Sequence, residues 1–272
     1  MKFNNSSDLD KLYNTKFKHQ TFFLLFDKIG ISKIENENQL TELIKYINNI
    51  NSKQFKLISS DTTCADPFLF ANNDKMYLFF EKINPIIKNP RHIEGLGEIY
   101  VCELIQTDGK YAYSEPELVL KNDYHLSYPY VFKHDDIIYM IPEQSKSGKL
   151  DLYECTEFPL KWELKKTLLN GSYVDSSIIF FNNYFWLFTS KKNIEKTQEY
   201  IIYYSKDLLS DWTEYHSDGV TNSIKGKYKR NGGSIIKINN YLYIPIQKNI
   251  NYYGESLEFY KVSLDLNTYK SE

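Results

Sequence analysis

Four returns of one strand, turn, strand, strand phrase, turn signals rich in Asn and Asp, and a 16% aromatic content led by 24 tyrosines predict an all-β chain. The spacing of the four copies, with strands left over at the N-terminus, predicts a five-bladed β-propeller carrying one short N-terminal helix.

The first copy reads ADPFLF at residues 65–70, then ANNDKMYLFFEKI, a polar stretch, and GEIYVCELI. Strand interiors reject both aspartate and proline, so Asp66 and Pro67 are expected where a strand begins, with the carboxylate at its open end. The phrase returns as YPYVFKHDDIIYMIPEQSKSGKLDLYECT from Tyr128, as DSSIIFFNNYFWLFTS from Asp175, and as GGSIIKINNYLYIPIQ from Gly232. Starts at 66, 128, 175 and 232 lie 62, 47 and 57 residues apart, near the roughly 40 to 50 residues of a propeller blade plus insertions. The first strand of each copy is the most apolar and is placed innermost. Asp66, Tyr128, Asp175 and the Asn231-Gly232-Gly233 group are therefore expected to be neighbours around a central channel.

Upstream, HQTFFLLFDKIGI and QFKLISSDT read as strands that complete the fifth blade. Between them, NENQLTELIKYINNI places Leu40, Leu43, Ile44 and Ile47 at helical spacing, which predicts a packing helix near residues 37 to 50. Residues 1–56 are thus expected to close the ring that residues 57–272 build.

Composition narrows the functional classes. With 33 basic against 35 acidic residues, net charge −2 and no dense Lys/Arg block, nucleic acid is not an expected ligand. The sequence has neither an apolar run near the roughly 18 residues of a membrane span nor a secretory leader, so no membrane span is expected, and the expected location is the cytoplasm or its membrane face through a partner. Cys64, Cys102 and Cys155 are too scattered for a zinc site or a disulfide framework and read as reduced thiols. No metal-ligand spacing occurs, so neither a metal nor another cofactor is expected, although a channel calcium stays open.

The candidate site residues are those that the repeat carries to one mouth of the ring. Asp66 and Asp175 start blades, and Glu143 and its counterpart Glu81 end second strands. His125, Tyr128 and Tyr173 flank the mouth, the tyrosines as faces on which a sugar can stack. Arg230 and Asn231 precede two glycines, which let other groups approach the backbone closely.

ADPFLF with LFFE, HLSYPYVF with YMIPEQS, LYECTEFPLKW, VDSSIIF with WLFTS, and RNGGS with PIQ and YYGESL together resemble the propellers related to glycoside hydrolase family 43. The resemblance is nearest to the N-terminal domain of glucosamine inositolphosphorylceramide transferases and to bacterial surface-polysaccharide relatives. It covers about residues 57 to 262. It implies an aspartate base at Asp66 and an orienting aspartate at Asp175. The inverting hydrolases of that family also need a carboxylic acid roughly 6.5 to 9.5 Å from the base. Where they carry that glutamate this chain has Asn231, and asparagine has no proton to give.

Losing a general acid costs on the order of 10² to 10⁴ in rate. The resemblance therefore implies glycosyl-group chemistry centred on Asp66, Asp175 and Glu143, with transfer from an activated sugar preferred to hydrolysis. Arg230 or His125 would then meet a phosphate or a sugar hydroxyl. Two alternatives stay open: a non-catalytic glycan-binding propeller, and a furanoside hydrolase with Glu143 as a displaced acid. The expected setting is bacterial cell-surface polysaccharide biosynthesis, beside a further domain or partner enzyme.

Overall fold

The computed structural model describes residues 23–25, 38, 55–57, 63–89, 92–107, 110–193, 198–216, 224, 229–248, 256–264 and 266. These fall into two compact units, one within Asn5–Ile31 and Ile50–Val174, the other within Met1–Asn4, Ser32–Asn49 and Asp175–Glu272. The described residues form four blade sheets and one two-stranded sheet. The latter pairs β1 (Phe23–Leu25) with β2 (Phe55–Leu57) in antiparallel register, at the two places where N-terminal strands are predicted. A fifth blade is not formed among the described residues. The helix expected near 37 to 50 lies outside them except at Asn38, which is helical.

The first unit holds two blades. Blade 1 consists of β3 (Thr63–Asn72), β4 (Lys75–Asn89), β5 (His92–Thr107), β6 (Lys110–Tyr113) and β7 (Glu117–Leu120), the last also pairing with β5. Blade 2 is the four-stranded meander β8 (Ser127–His134), β9 (Ile137–Glu143), β10 (Lys149–Glu157) and β11 (Lys161–Asn170). Their facing surfaces share one core, in which Phe79, Ile99, Val101, Val119 and Leu126 meet Val131, Ile138, Met140, Tyr153 and Trp162. Burying each such side chain contributes about 1.5–3 kcal/mol, which is why the apolar alternation survives on both blades. The polar stretch expected between the second and third strands of blade 1 is itself strand, since β4 and β5 stay paired from Asn84 opposite Leu96 to Asn89 opposite His92.

The second unit holds the other two blades. Blade 3 runs β12 (Tyr173–Phe181), β13 (Tyr184–Lys192), β14 (Gln198–Ser205) and β15 (Thr213–Glu214), with Tyr173 and Val174 of β12 belonging to the first unit. In blade 4, β16 (Arg230–Asn231) and β17 (Ile236–Ile238) both pair with β18 (Tyr241–Lys248), whose other partner is β19 (Ser256–Val262). Phe181, Trp186 and Phe188 of blade 3 pack with Leu242, Ile244 and Ile246 of blade 4.

The repeat has a backbone meaning sharper than a strand start. β3 begins at Thr63, so Asp66 and Pro67 lie inside it, contrary to expectation. They form a bulge: Ala65 pairs with Glu81 and Phe68 with Phe79, leaving two residues opposite Phe80 alone. Tyr128 and Pro129 do the same between the pairs Ser127–Glu143 and Tyr130–Ile141. A proline is tolerated there because a bulge releases a ladder hydrogen bond that proline cannot make. Asp66, Tyr128 and Asp175 share left-handed φ of 48°, 46° and 50°. In blade 4 the same place is opened further, and Gly233 supplies it at φ 145°.

The first hairpins of blades 1, 2 and 3 close on the pair that right-handed strand twist demands. Asn73-Asp74, Asp135-Asp136 and Asn182-Asn183 all have φ between 47° and 64°. Asn and Asp tolerate that region, as type I′ turns need.

Candidate active site

In the second unit, the left-handed residue Asp175 of blade 3 and the start of blade 4 build one polar cluster. Asp175 is 1% exposed, and its left-handed backbone turns the carboxylate toward Arg230. The guanidinium grips it at both oxygens, Nε donating to Oδ2 at 2.6 Å and Nη2 to Oδ1 at 2.9 Å. Gln247, opposite Arg230 in the β16–β18 ladder, adds a 3.0 Å bond from Nε2 to Oδ2 and donates to the Asn231 carbonyl at 2.7 Å. A bidentate guanidinium–carboxylate pair with a third donor fixes geometry as well as charge.

Asn231 is wholly enclosed. Its Nδ2 donates to the carbonyls of Asp175 at 2.7 Å and Phe188 at 2.9 Å, and its Oδ1 accepts from the Tyr200 hydroxyl at 2.5 Å. Burial holds the Tyr200 phenol well above its ordinary pKa, so that hydroxyl keeps its proton and stays a donor. Asn231 thus ties the two blades together, and its amide has no direction left for a sugar. Hydroxyls reinforce the seam, with Ser190 Oγ donating to the Lys229 carbonyl at 2.7 Å and Ser177 Oγ to the Gly233 carbonyl at 3.3 Å.

In the first unit, the Tyr128 amide donates to Asp66 Oδ2 at 3.2 Å, so the blade 2 bulge orients the blade 1 carboxylate. Asp66 is partly exposed, whereas Glu81, Glu143 and Asp175 are buried. Glu143 Oε1 accepts from Ser145 Oγ at 3.1 Å, in the 3-10 turn Ser145–Ser147 that follows β9. Beneath that turn Gln144 is fully buried, donating to Asp151 Oδ2 at 2.6 Å and accepting from the Tyr153 hydroxyl at 3.3 Å. Thr167 Oγ1 completes the brace on Asp151 Oδ1 at 2.5 Å.

His125 stands between Glu81 and Gly97. Its Nδ1 accepts the Gly97 amide proton at 3.0 Å, and its Nε2 lies 3.1 Å from Glu81 Oε1. That second approach is close but off the hydrogen-bond line, since the buried Oε1 has no aligned donor. The Glu81 carboxylate, the largest influence, moves the imidazole pKa up from its ordinary value against the opposing pull of burial.

The site residues named from sequence therefore divide. Asp175, Arg230 and Asn231 come together in the second unit. In the first, Asp66 joins Tyr128 and Glu81 joins His125. Tyr128 and Tyr173 are each 3% exposed, and Tyr128 sets its ring edge-on to Phe68 at 4.7 Å. Both rings are therefore packed against protein in this structure. Both His125 nitrogens approach protein groups, Nδ1 the Gly97 amide and Nε2 Glu81. Gln247 went unassigned, though PIQ stood among the resembling pieces, and Gly97 and Gln144 gave no signal a single sequence could amplify. Among the described residues no cluster of three or more His, Cys, Asp or Glu could hold a metal ion.

Residues 50–271 match the family model described as glucosamine inositolphosphorylceramide transferase 1, N-terminal. The chain belongs to this family. A relative in Oryza sativa subsp. japonica, glucosamine inositolphosphorylceramide transferase 1, is 35% identical over 201 residues, 73% of this chain and 26% of that protein. The protein of the same name in Arabidopsis thaliana is 33% identical over 204 residues, 74% of this chain and 25% of its own length. The chain thus spans about a quarter of the curated relatives that it matches.

Among solved structures, Bacteroides ovatus xyloglucan PUL GH43B superposes with TM-score 0.54 at 13% identity, covering 78% of this chain and 46% of that one. The exo-beta-1,3-galactanase of Phanerochaete chrysosporium gives 0.53 at 12%, covering 79% and 52%. Cellvibrio cellulosa alpha-L-arabinanase with arabinohexaose gives 0.52 at 14%, covering 75% of each chain. At such identities the likeness establishes the fold: this family member is an all-β propeller of the family 43 glycoside hydrolase kind.

Proposed function

We propose that this family member performs glycosyl-group transfer rather than glycoside hydrolysis, with Asp66 as the base that deprotonates the acceptor hydroxyl. The observation that carries this reading is the sealed Asn231 amide, bonded to Asp175, Phe188 and Tyr200, at the position that the family resemblance implies for an acid. A leaving group already stable as an anion, such as a nucleotide or lipid phosphate, requires no such proton. Within the second unit, Arg230 carries a positive charge that Asp175 orients. Glu143, steadied by Ser145, is the remaining carboxylate of the mechanism.

The substrate class proposed is an activated sugar, in keeping with relatives named glucosamine inositolphosphorylceramide transferase 1. The proposed setting is cytoplasmic assembly of bacterial cell-surface polysaccharide, beside a further domain or partner enzyme. Among the described residues no helix is long and apolar enough to cross a membrane. The two N-terminal strands, β1 and β2, are proposed as part of a fifth blade.

A second reading, a glycan-recognition module without turnover, is favoured by one observation: Asp66 is partly exposed, whereas Glu81, Glu143, Asp151 and Asp175 are buried. Calorimetric titration of wild type and Asp66→Asn with UDP-N-acetylglucosamine, GDP-mannose, arabinohexaose and β-1,3-galactotriose, followed by mass spectrometry of each mixture, separates the two. Transfer predicts a product that falls by roughly 10²-fold or more in Asp66→Asn. Binding that survives the substitution, with no product from either protein, would leave recognition alone.

A further inference from the structure

The corner where blade 1 hands the chain to blade 2 contains a histidine whose surroundings pull it in opposite directions. Gly97 on β5 donates its N–H to His125 Nδ1, and that nitrogen accepts only when it carries no proton. The neutral ring must then bear its proton on Nε2, beside the Glu81 carboxylate of β4. Glu81 is 1% exposed, so its charge is poorly screened and favours adding a second proton. That proton goes to Nδ1, where it would point at the Gly97 N–H and expel it. Glu143 at the end of β9 pulls the same way as Glu81, and Lys146 in the following turn pulls against it.

The corner has no slack to absorb the change. A Cβ on Gly97 would collide with the Leu126 carbonyl and sit 2.6 Å from Glu81 Oε1 and 2.9 Å from His125 Cε1. Glycine is what lets β5 approach so closely. The Leu126 amide is in turn tied to the Gly97 carbonyl at 2.9 Å. Two residues further, Tyr128 is held at φ 46°, a conformation costly for a bulky residue, with its amide on Asp66.

We propose that His125 is the positioning residue for Asp66: in its neutral Nε2–H form it pins Leu126 and Tyr128 to Gly97 and so aims the Asp66 carboxylate, and double protonation releases that corner. The assignment rests on the proposed role of Asp66 for its functional meaning. The coupling itself is a property of the unliganded chain. Acidification is the trigger, and Glu81 brings it nearer to neutrality.

The test needs no ligand. The chain has five histidines, so ring-nitrogen NMR can assign His125 by the signals missing from His125→Asn. At pH 8 the Nε2–H tautomer is expected. On acidification the Gly97 and Tyr128 amide resonances of the wild type should move with one midpoint, shared with the His125 ring. In His125→Asn the side-chain oxygen still accepts from Gly97 but does not titrate, so the Tyr128 amide should hold its pH 8 position throughout.

An Nδ1–H tautomer at pH 8, or a Tyr128 amide that stays still while His125 titrates in the wild type, would overturn the proposal whatever the variant does. Should no sugar bind Asp66, the function proposed above fails, while the shared midpoint would still establish the coupling.

Discussion

Replacing Asp175 by asparagine isolates the charge on β12 of blade 3, because asparagine keeps the shape and accepts a φ of 50°. What it loses is the ion pair with Arg230, bidentate at 2.6 and 2.9 Å, with side chains 1% and 18% exposed. Breaking a buried pair by removing one partner costs about 3–5 kcal/mol. The substituted amide would keep one acceptor for Arg230, so about 2–4 kcal/mol is expected for Asp175→Asn. At roughly 2–4 °C per kcal/mol for a chain of this size, the melting temperature should fall by roughly 5–15 °C.

Arg230→Met should cost at least as much, since it strands the carboxylate in a buried place. The double variant Asp175→Asn/Arg230→Met removes both charges together. It should be less destabilised than the sum of the singles by about 1.5–3 kcal/mol, read by urea unfolding with unchanged m-value. Additivity within about 0.5 kcal/mol would refute the claim that the pair is a mutual clamp. Arg230 would then have to be stabilised chiefly by something other than Asp175.

Gly97→Ala drives a methyl into the Leu126 backbone carbonyl and should destabilise by about 3 kcal/mol, the upper end of overpacking costs, in the same urea assay. Glu81→Gln should lower the His125 midpoint, because the carboxylate is the largest influence raising it. A group whose folded pKa is raised stabilises fully below its unfolded value and loses that contribution as pH rises through the folded one. The stability difference between wild type and Glu81→Gln should therefore be largest in acid and shrink toward pH 8, as followed by thermal melts. Cys102, whose thiol burial pushes up to about 12, should resist Ellman's reagent at pH 8 until the chain is unfolded. Asn231→Glu should not restore hydrolysis of aryl arabinofuranosides. The new carboxylate would enter a wholly enclosed site against two backbone carbonyls, costing on the order of 3–5 kcal/mol in urea unfolding.

The blades were legible because their signals are local. Asn73-Asp74, Asp135-Asp136 and Asn182-Asn183 mark hairpins by the φ each residue accepts, and the apolar run on either side follows from sheets covered on both faces. The bulges were half legible. Asp-Pro and Tyr-Pro flagged the right residues, but a strand start and a mid-strand bulge break the alternation in the same way. Only pairing with Glu81 and Glu143 tells them apart. The polar appearance of residues 84–96 concealed a hairpin for the opposite reason. Antiparallel ladders are satisfied backbone to backbone, so β4 and β5 continue without apolar alternation.

The site was legible as a set of positions and illegible as a set of roles, because a role depends on what lies across the sheet. Arg230, one residue removed from two glycines, reads as an anion reader, and only the fold shows Asp175 held on its Nε and Nη2. Asn231 reads as a substrate contact until its amide is found spent on Asp175, Phe188 and Tyr200. These two discoveries bear on each other. A general acid has to present its carboxyl within hydrogen-bond reach of the glycosidic oxygen, whereas Asn231 carries an amide bonded at each of its polar atoms and lies one residue from an arginine locked to the neighbouring blade. Converting such a corner into an acid site would require loosening Tyr200, Gln247 and Arg230 together. The asparagine is therefore a fixed part of the seam between blades 3 and 4, and it has no proton to give.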